Sequence, residues 1–227
     1  MDKIFYDGWE LEYFDKAYNF RNYQFELVKK FIKGTVAEVG PGNGTFLKYY
    51  LPLANKIDLF EPSKNFLINL NKIKDSKINI INKNFEKNKN CYDTILYLDV
   101  LEHIENDKRE VQIAFESLKK GGTLVINVPA FQHLYSKFDK DIGHFRRYSK
   151  KTLRSLTNNI GFSRTKLIYF DSIGYLLSIG SKFITKDYFN NFDKKIKVWD
   201  SLIPFSKFID FLMLNRFGKS LIMVCVK

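Results

Sequence analysis

The chain has 227 residues, of which 45% are hydrophobic, and 37 basic against 25 acidic residues give it a formal net charge of +12. This length and apolar content fit one large α/β domain and exclude a disordered chain. Two cysteines, Cys91 and Cys225, are too few for a disulfide framework, so we expect a cytoplasmic protein. The sequence has no run of about 18 uninterrupted apolar residues, which excludes a membrane-spanning helix.

Short apolar runs alternate with amphipathic segments, which is the pattern of βαβ units around a parallel sheet. The predicted strands are residues 35–39, 56–60, 78–82, 92–98, 123–128, 162–170 and 220–226. The predicted helices are 14–32, 45–50, 64–73 capped by Ser63, 107–118 ended by Gly121 and Gly122, 150–158 capped by Ser149, and broken helices within 171–218. Residues 129–148 are expected to form a long aromatic and charged loop.

The most informative segment is the end of the first predicted strand. Glu38 is followed by three glycines at alternate positions, Gly40, Gly42 and Gly44. Glycine allows a sharp turn and lets a ligand lie against the backbone, and such strand ends form the ligand crevice of open α/β sheets. A dinucleotide site needs the spacing G-x-G-x-x-G, and an acid beside its pyrophosphate would be repulsive.

S-adenosylmethionine fits this pattern better, because its sulfonium and ammonium groups attract a carboxylate and it has no phosphate. The alternative is an ordinary glycine-rich turn in which Glu38 caps a helix or loop.

Two further strand ends complete the predicted crevice. Glu61 follows the second strand and can accept two hydrogen bonds from a ribose diol. By itself such an acid is more often a charge that complements the dipole of the next helix, but its place after the glycine turn favours the ribose interpretation. After the third strand, Asn84 can accept a hydrogen bond from an adenine amino group, and Phe85 can present its backbone N–H or pack on the ring.

Several motifs together resemble the class I S-adenosylmethionine-dependent methyltransferases, and most of all the small-molecule branch called type 11 or type 12, which is similar to the quinone-biosynthesis methyltransferases. The motifs are EVGPGNG from Glu38, FEPS from Phe60, LDVLEHI from Leu98 and KKGGTLVINVP from Lys119. GHFRRY from Gly143 resembles a G-H-x-R-R-Y element of one subgroup, whose members often accompany glycosyltransferases. The tail from Trp199 is similar to the ending of the same subgroup.

The resemblance implies a Rossmann-like α/β fold. Its sheet would be seven-stranded and mixed, in the order 3-2-1-4-5-7-6 with strand seven antiparallel, helices on both faces and a helical insertion before the last strand. The implied cofactor-binding residues are Glu38, Val39, Gly40, Pro41, Gly42, Gly44, Glu61, Pro62, Asn84, Phe85, Asp99, Val100 and Leu101. At the position of Asn84 the family more often has aspartate.

We expect residues 1–227 to form a single methyltransferase domain. It would consist of an N-terminal helical cap (1–33), a cofactor-binding half (34–130) and an acceptor-side half (131–227) that contains the helical insertion (171–218). The predicted function is S-adenosylmethionine-dependent methyl transfer, with O-methylation favoured, to a small-molecule, sugar or lipid-linked acceptor. The alternative is a non-catalytic S-adenosylmethionine-binding protein with a regulatory or interaction role.

Methyl transfer from a sulfonium is an in-line displacement with a neutral leaving group, so the enzyme mainly aligns its acceptor with the methyl carbon. A hydroxyl acceptor also needs a base. The predicted catalytic residues are His144, His103 and Asp99. For His103, a structural bond that anchors the turn to the next helix is an equally good interpretation.

His144 is preferred as the base because Arg146, Arg147 and Tyr148 follow it and can bind a phosphate or carboxylate of the acceptor. The alternative for the two arginines is salt bridging to Asp139, Asp141 or the preceding loop. No Cys/His cluster has metal-ligand spacing, so no metal is expected.

The basic residues are mostly lysines and are scattered along the chain, so we disfavour a nucleic-acid partner. The aromatic segment 169–217 is expected to cover the sheet edge and bury its own apolar stripe. The alternative is an apolar acceptor pocket, or contact with the inner face of the membrane through lysines at the interface. The sequence leaves the oligomeric state open.

Overall fold

The computed structural model describes residues 8–181 and 191–227, and its centre is a seven-stranded mixed sheet. The strands are β1 (Gly34–Val39), β2 (Ala54–Phe60), β3 (Ile78–Ile81), β4 (Tyr92–Leu98), β5 (Leu118–Pro129), β6 (Arg164–Phe170) and β7 (Ser220–Val226). They lie in the order β3-β2-β1-β4-β5-β7-β6, and β7 runs antiparallel to both of its neighbours. This order confirms the sheet that the resemblance implies.

Helices cover both faces of the sheet. In the described residues they are α1 (Leu11–Phe14), α2 (Tyr18–Val28), α3 (Leu47–Tyr50), α4 (Lys64–Leu70), α5 (Asp107–Ser117), α6 (Lys137–Asp141), α7 (Lys150–Ser155), α8 (Ser172–Ser181), α9 (Phe192–Ser201) and α10 (Ile203–Leu212). None of these is both long and apolar enough to cross a bilayer.

Successive side chains of β4 pack into two cores on opposite faces of the sheet, as the pleat of a strand requires. Leu96 and Leu98 pack with side chains of α2 and α9, whereas Ile95 and Tyr97 pack with side chains of α5 and α7. A strand that is covered on both faces reads as a nearly continuous apolar run. Because β2, β1 and β4 are parallel neighbours, their carboxyl ends meet at one edge of the sheet.

Several segments differ from the sequence prediction. The predicted helix 14–32 is shorter, since α2 spans Tyr18–Val28 and Phe14 ends the separate helix α1. Helix α5 ends at Ser117 and β5 follows directly, so Gly121 does not end the helix. Gly121 lies within β5 with a φ of +75°, and its N–H donates to the carbonyl oxygen of Lys227 at 2.8 Å. The predicted loop 129–148 contains α6, because Ser136 and Asp139 form a capping box that starts a helix there.

The aromatic segment buries only part of its apolar stripe. Helix α9 turns Trp199 inward, but α10 turns Phe205, Phe208 and Phe211 outward, with 64%, 62% and 74% of their surfaces exposed. The inner face of α10 carries buried Asp210, which accepts hydrogen bonds from backbone N–H groups where β6 meets α8. The expectation that these helices bury their own stripe is therefore wrong for α10. Three other aromatic residues of the segment, Phe183, Tyr188 and Phe189, lie outside the described residues.

Candidate active site

The loop between β1 and α3 depends on glycines in the left-handed backbone region. The φ angle is +64° at Gly40 and +55° at Gly42, which side chains with a Cβ seldom adopt. Space also excludes a side chain, since a Cβ on Gly40 would lie 2.9 Å from Cγ2 of Val100. The loop thus packs its bare backbone against the turn that follows β4.

Glu38 lies beside this loop, one residue before the end of β1, and only 3% of it is exposed. Its Oε2 accepts a hydrogen bond from the hydroxyl of Tyr50 at 2.5 Å. Burial raises the pKa of Glu38 to about 7, although this hydrogen bond and the charge of Arg21 oppose the rise. A cation next to the carboxyl group would favour its ionised form.

Glu61, at the end of β2, ties the glycine loop to the start of α4. Its Oε2 accepts from the N–H of Gly42 at 3.0 Å, and its Oε1 accepts from the N–H of Ser63 at 2.9 Å. Burial raises the pKa of Glu61, and the two hydrogen bonds oppose that rise. Each carboxylate oxygen can accept a second hydrogen bond, so these contacts leave acceptor capacity for a ribose diol.

In the segment after β3, the two predicted adenine contacts differ in their exposure. Asn84 is exposed, whereas the Phe85 ring is buried and packs edge-on against Phe60 with centroids 4.9 Å apart. The backbone of Phe85, rather than its ring, is therefore the group that can meet a cofactor. Leu101 of the predicted set is fully buried in the core.

Helix α1 lies across the glycine loop. A Cβ on Gly42 would lie 3.0 Å from Cδ1 of Leu11, so Leu11 occupies the space above this glycine. Asp15, just after α1, accepts hydrogen bonds from the side chains of Asn43 at 2.9 Å and Thr45 at 2.8 Å. Residues of α1 line both a cavity of about 1090 Å³ and one of about 340 Å³. A ligand that rests on Gly42 therefore requires Leu11 to move.

The larger cavity brings together residues from distant parts of the chain. On its polar wall lie four of the predicted residues, Asp99, His103, His144 and Arg147, together with Glu102. The apolar residues of its lining include Leu11, Phe14, Phe138, Leu176, Leu177, Phe192 and Trp199. Of the predicted cofactor-binding residues, only Asp99 belongs to this lining in the described part of the chain.

Asp99 begins the turn after β4 in a left-handed conformation, with φ at +59°. Its Oδ1 accepts from Nδ2 of Asn127 at 2.5 Å, and its Oδ2 accepts from Nη1 of Arg21 at 3.3 Å. Arg21, which lies on α2 and lines the cavity, is not among the residues predicted from the sequence. No local motif marks Arg21, because its role depends on the packing of α2 against the sheet.

The two predicted histidines meet at the polar wall, with ring centroids 4.6 Å apart. Nδ1 of His144 lies 2.9 Å from Oδ1 of Asp139, and its Nε2 lies 3.8 Å from Oε1 of Glu102. Burial, assisted by His144, lowers the pKa of His103 to about 3. His103 is consequently neutral at ordinary pH and a weak proton acceptor.

Asp139 of α6 holds both His144 and Arg147. Nε and Nη2 of Arg147 donate to its two oxygens at 2.7 and 3.0 Å. Burial acts to raise the pKa of Asp139, but the hydrogen bond from His144 and the charge of Arg147 hold it well below its usual range. The remaining Nη1 of Arg147 is buried without a hydrogen-bond partner among the described residues.

The structure does not bring Arg146 and Tyr148 to the cavity. Both bind Asp107 at the start of α5, with Nη1 of Arg146 at 2.7 Å and the hydroxyl of Tyr148 at 2.8 Å from its Oδ2. Tyr148 is also almost fully buried, with 2% exposure. These two residues, predicted to bind the acceptor, instead fix the loop after β5 to α5, because Asp107 supplies the charge partner.

The family model described as "Methyltransferase domain" matches residues 11–167. Among solved structures, phosphoethanolamine N-methyltransferase 2 of Haemonchus contortus, in complex with S-adenosyl-L-methionine, is 15% identical with a TM-score of 0.71. That match covers 99% of this chain but 59% of the Haemonchus protein, so the chain spans about three fifths of that relative's length. A SAM-dependent methyltransferase from Archaeoglobus fulgidus is 16% identical with a TM-score of 0.65, over 96% of this chain and 97% of the other. No curated protein matches the sequence.

Proposed function

This chain belongs to the family of methyltransferase domains, and from that premise we propose that it transfers the methyl group of S-adenosylmethionine to an oxygen atom of a small or lipid-linked acceptor. The observation that carries the proposal is the buried carboxyl group of Glu38 beside a loop of left-handed glycines. A buried acid at this place attracts the cationic methionine end of the cofactor. The charge of such a cation would also offset the energetic cost of ionising Glu38 away from water, which is the cost that raises its pKa.

Asp99, His103 and His144 support an acceptor site in the larger cavity, where all three belong to the lining. Methyl transfer depends mainly on aligning the acceptor with the methyl carbon, and a hydroxyl acceptor must also lose its proton. His103 is a weak base, because burial lowers its pKa to about 3. We therefore assign activation of the acceptor oxygen to His144, whose ring Asp139 orients through Nδ1.

Arg147 supports an acceptor that carries an anionic group. Two of its nitrogens are held by Asp139, while Nη1 is buried and without a partner among the described residues. A phosphate or carboxylate that enters the cavity can accept a hydrogen bond from that nitrogen. The apolar part of the lining suits a hydrocarbon or ring next to the charged group.

Calorimetric titration with S-adenosylmethionine, S-adenosylhomocysteine and NAD tests the cofactor proposal. We expect both sulfur ligands to bind and NAD not to bind; the reverse would overturn it. The acceptor is then sought by incubating the enzyme with methyl-labelled S-adenosylmethionine and a cell extract. Label in the organic phase supports a lipid-linked acceptor, and label in the aqueous phase supports a small molecule or sugar.

The outward face of α10 supports docking on an anionic membrane surface. Phe205, Phe208 and Phe211 recur at intervals of three along this helix and are exposed. A surface helix of a globular protein normally directs such a stripe toward the core, whereas the aromatic face of α10 is directed outward. Each phenylalanine gains about 1.5–3 kcal/mol when it leaves water.

The exposed lysines of α9 and α10 and the contact of α8 with α10 favour an anionic lipid surface over a neutral one. Lys194, Lys195 and Lys207 are exposed on α9 and α10, and basic residues near anionic lipid contribute about 1 kcal/mol each. Leu176 and Leu177 of α8 are exposed and also line the cavity, and α8 packs against α10. Docking would bring the mouth of the cavity to the lipid.

Sedimentation with liposomes tests this docking. We expect the protein to bind vesicles that contain anionic lipid, with salt weakening the binding, and the variant F208S/F211S to bind much less. Ile68→Ser is a matched control, because Ile68 is 67% exposed on α4. Equal amounts of wild-type protein in the supernatant with and without vesicles would overturn the proposal.

A further inference from the structure

Three side chains on the polar wall of the cavity place carboxylate and imidazole groups close to one another. Glu102 and His103 lie in the turn after β4, and His144 lies in the loop after β5. Each offers one ligand atom, and these atoms all lie within 4.8 Å of one another. The backbone joins the two loops here, since the N–H of Phe145 donates to the carbonyl oxygen of Glu102 at 2.9 Å.

Glu102 is a buried acid on this wall. Its side chain is 1% exposed, and neither carboxylate oxygen has a hydrogen-bond partner among the described residues. Burying a carboxylate without a partner costs several kcal/mol, and the neighbouring Asp99 adds like charge, which the charge of Arg147 opposes only in part. A cation bound at these oxygens would remove both costs.

The two histidines are held as metal-binding histidines usually are. A metal-ligating imidazole generally donates its second N–H to a carboxylate or a backbone carbonyl, which fixes the orientation of the ring. Nδ1 of His144 lies 2.9 Å from Oδ1 of Asp139, which leaves Nε2 on the side of Glu102. The backbone of Gly143 hydrogen-bonds His103. The partner of each ring is thus of the expected kind.

We propose that Glu102, His103 and His144 bind one divalent cation at the acceptor side of the cavity. Ligand distances of about 2.0–2.2 Å place two ligands of one ion no more than about 4.4 Å apart, so small side-chain rotations suffice to bring the three together. One carboxylate and two imidazoles suit Mn²⁺, Fe²⁺ or Zn²⁺ better than Ca²⁺ or Mg²⁺, which prefer oxygen ligands. Three protein ligands leave coordination positions open toward the cavity.

The role of this ion rests on the proposed methyl transfer. An acceptor hydroxyl bound to the ion has a lowered pKa and releases its proton to solvent. The oxygen then forms the new O–CH₃ bond while the S–CH₃ bond breaks, and the bonding pair returns to sulfur as a neutral thioether. In this arrangement His144 acts as a ligand that positions the ion. The ion, instead of His144, then activates the acceptor oxygen.

Metal binding is measured on protein that has first been stripped of metal with a chelator. Binding of Mn²⁺ is followed by the loss of the electron paramagnetic resonance signal of the free ion, and binding of Zn²⁺ is followed by calorimetry. We expect one ion per chain, with affinity lowered more than about tenfold in Glu102→Gln and in His144→Gln. His133→Gln is the matched control, because the ring of His133 faces Tyr175 at 3.2 Å rather than the cluster. Wild-type protein that binds neither ion at millimolar concentration, or equal affinities of all three variants, would overturn the site.

Binding of S-adenosylhomocysteine to the stripped protein separates the two proposals. If the stripped protein binds S-adenosylhomocysteine but no metal, the metal site is refuted and the methyl-transfer proposal stands with His144 as base. If it binds metal but no sulfur ligand, the metal site stands and the methyl-transfer proposal fails. The same titration shows that Glu102→Gln is folded, and His144→Gln gives an independent variant if it is not.

Discussion

Replacement of Glu38 by glutamine tests the electrostatics of the cofactor site directly. Burial raises the pKa of Glu38 from its ordinary value of 4.5 to about 7. One pKa unit corresponds to about 1.36 kcal/mol, so ionisation costs about 3 kcal/mol more in the folded chain than in the unfolded chain. Because the folded pKa is raised, the stability from this group is greatest below about pH 4.5 and is lost as the pH rises through about 7.

Glu38→Gln retains an oxygen that can accept the hydroxyl hydrogen bond of Tyr50, but it cannot ionise. Between about pH 5 and about pH 8, ligand-free wild type should therefore lose about 3 kcal/mol of unfolding free energy that the variant does not lose. The free energy of unfolding of the variant, relative to wild type, rises by that amount. The buried amide adds a cost that is the same at both pH values and cancels in this comparison. Urea denaturation at the two pH values measures the change.

The same variant should bind S-adenosylmethionine more weakly, and without the gain in affinity that we expect for wild type as the pH rises through about 7. Calorimetric titration across that range measures both effects. Glu26→Gln serves as the control, since Glu26 is an exposed acid that pairs with Lys29. A stability difference between Glu38→Gln and wild type that stays constant from acid to alkaline pH would refute the reasoning.

Three further substitutions test the loop and the polar wall. Leu11→Ala should strengthen cofactor binding by clearing the space above Gly42, and unchanged affinity in calorimetry would contradict this. Gly40→Ala should lower the free energy of unfolding by about 1–3 kcal/mol in urea, because φ is positive and Val100 leaves no room. Asp139→Asn should lower it by about 3–5 kcal/mol near neutral pH. That loss should shrink as the pH falls below about 4, since the depressed pKa of Asp139 means that its contribution requires ionisation. A loss that is constant into strong acid would contradict this account.

The pattern of apolar runs along the sequence predicted most strands of the sheet. Strands β4 and β7 have the bounds that their apolar runs indicate, because a strand buried on both faces is apolar from end to end. The strand order came from the family resemblance. Helix α6 was missed because its signal is the short capping box at Ser136 and Asp139, inside a segment with many charges and aromatic rings.

The sequence indicates candidate site residues where they are neighbours along the chain, and it does not show arrangements that depend on tertiary contacts. Glu38 and the glycines follow one another along the chain, so their pattern is visible in the sequence. Arg146 and Arg147 are adjacent, yet one binds Asp107 and the other Asp139, and only the fold decides which. The position of Leu11 above the glycine loop is likewise a contact between distant segments.

The absence of a metal was expected from the spacing of cysteines and histidines alone. The cluster of Glu102, His103 and His144 draws its ligand atoms from two loops far apart in the sequence. No spacing rule covers such a set, because the loops meet only when β4 and β5 pair. That the carboxylate of Glu102 has no hydrogen-bond partner among the described residues is equally invisible in the sequence, since it depends on what surrounds the side chain.

The backbone hydrogen bonds of the loop after β5 bear on attempts to change the proposed acceptor. The N–H of Phe145 donates to the carbonyl oxygen of Glu102 in the turn after β4, and the N–H of Tyr148 donates to that of Pro129 at the end of β5. These two hydrogen bonds hold in place the loop that carries His144, the proposed base. The apolar part of the cavity lining consists of side chains on helices, such as Leu176 of α8 and Phe192 of α9. Library mutagenesis for new acceptors should therefore be directed at α8 and α9, where altered shape leaves the reacting geometry intact.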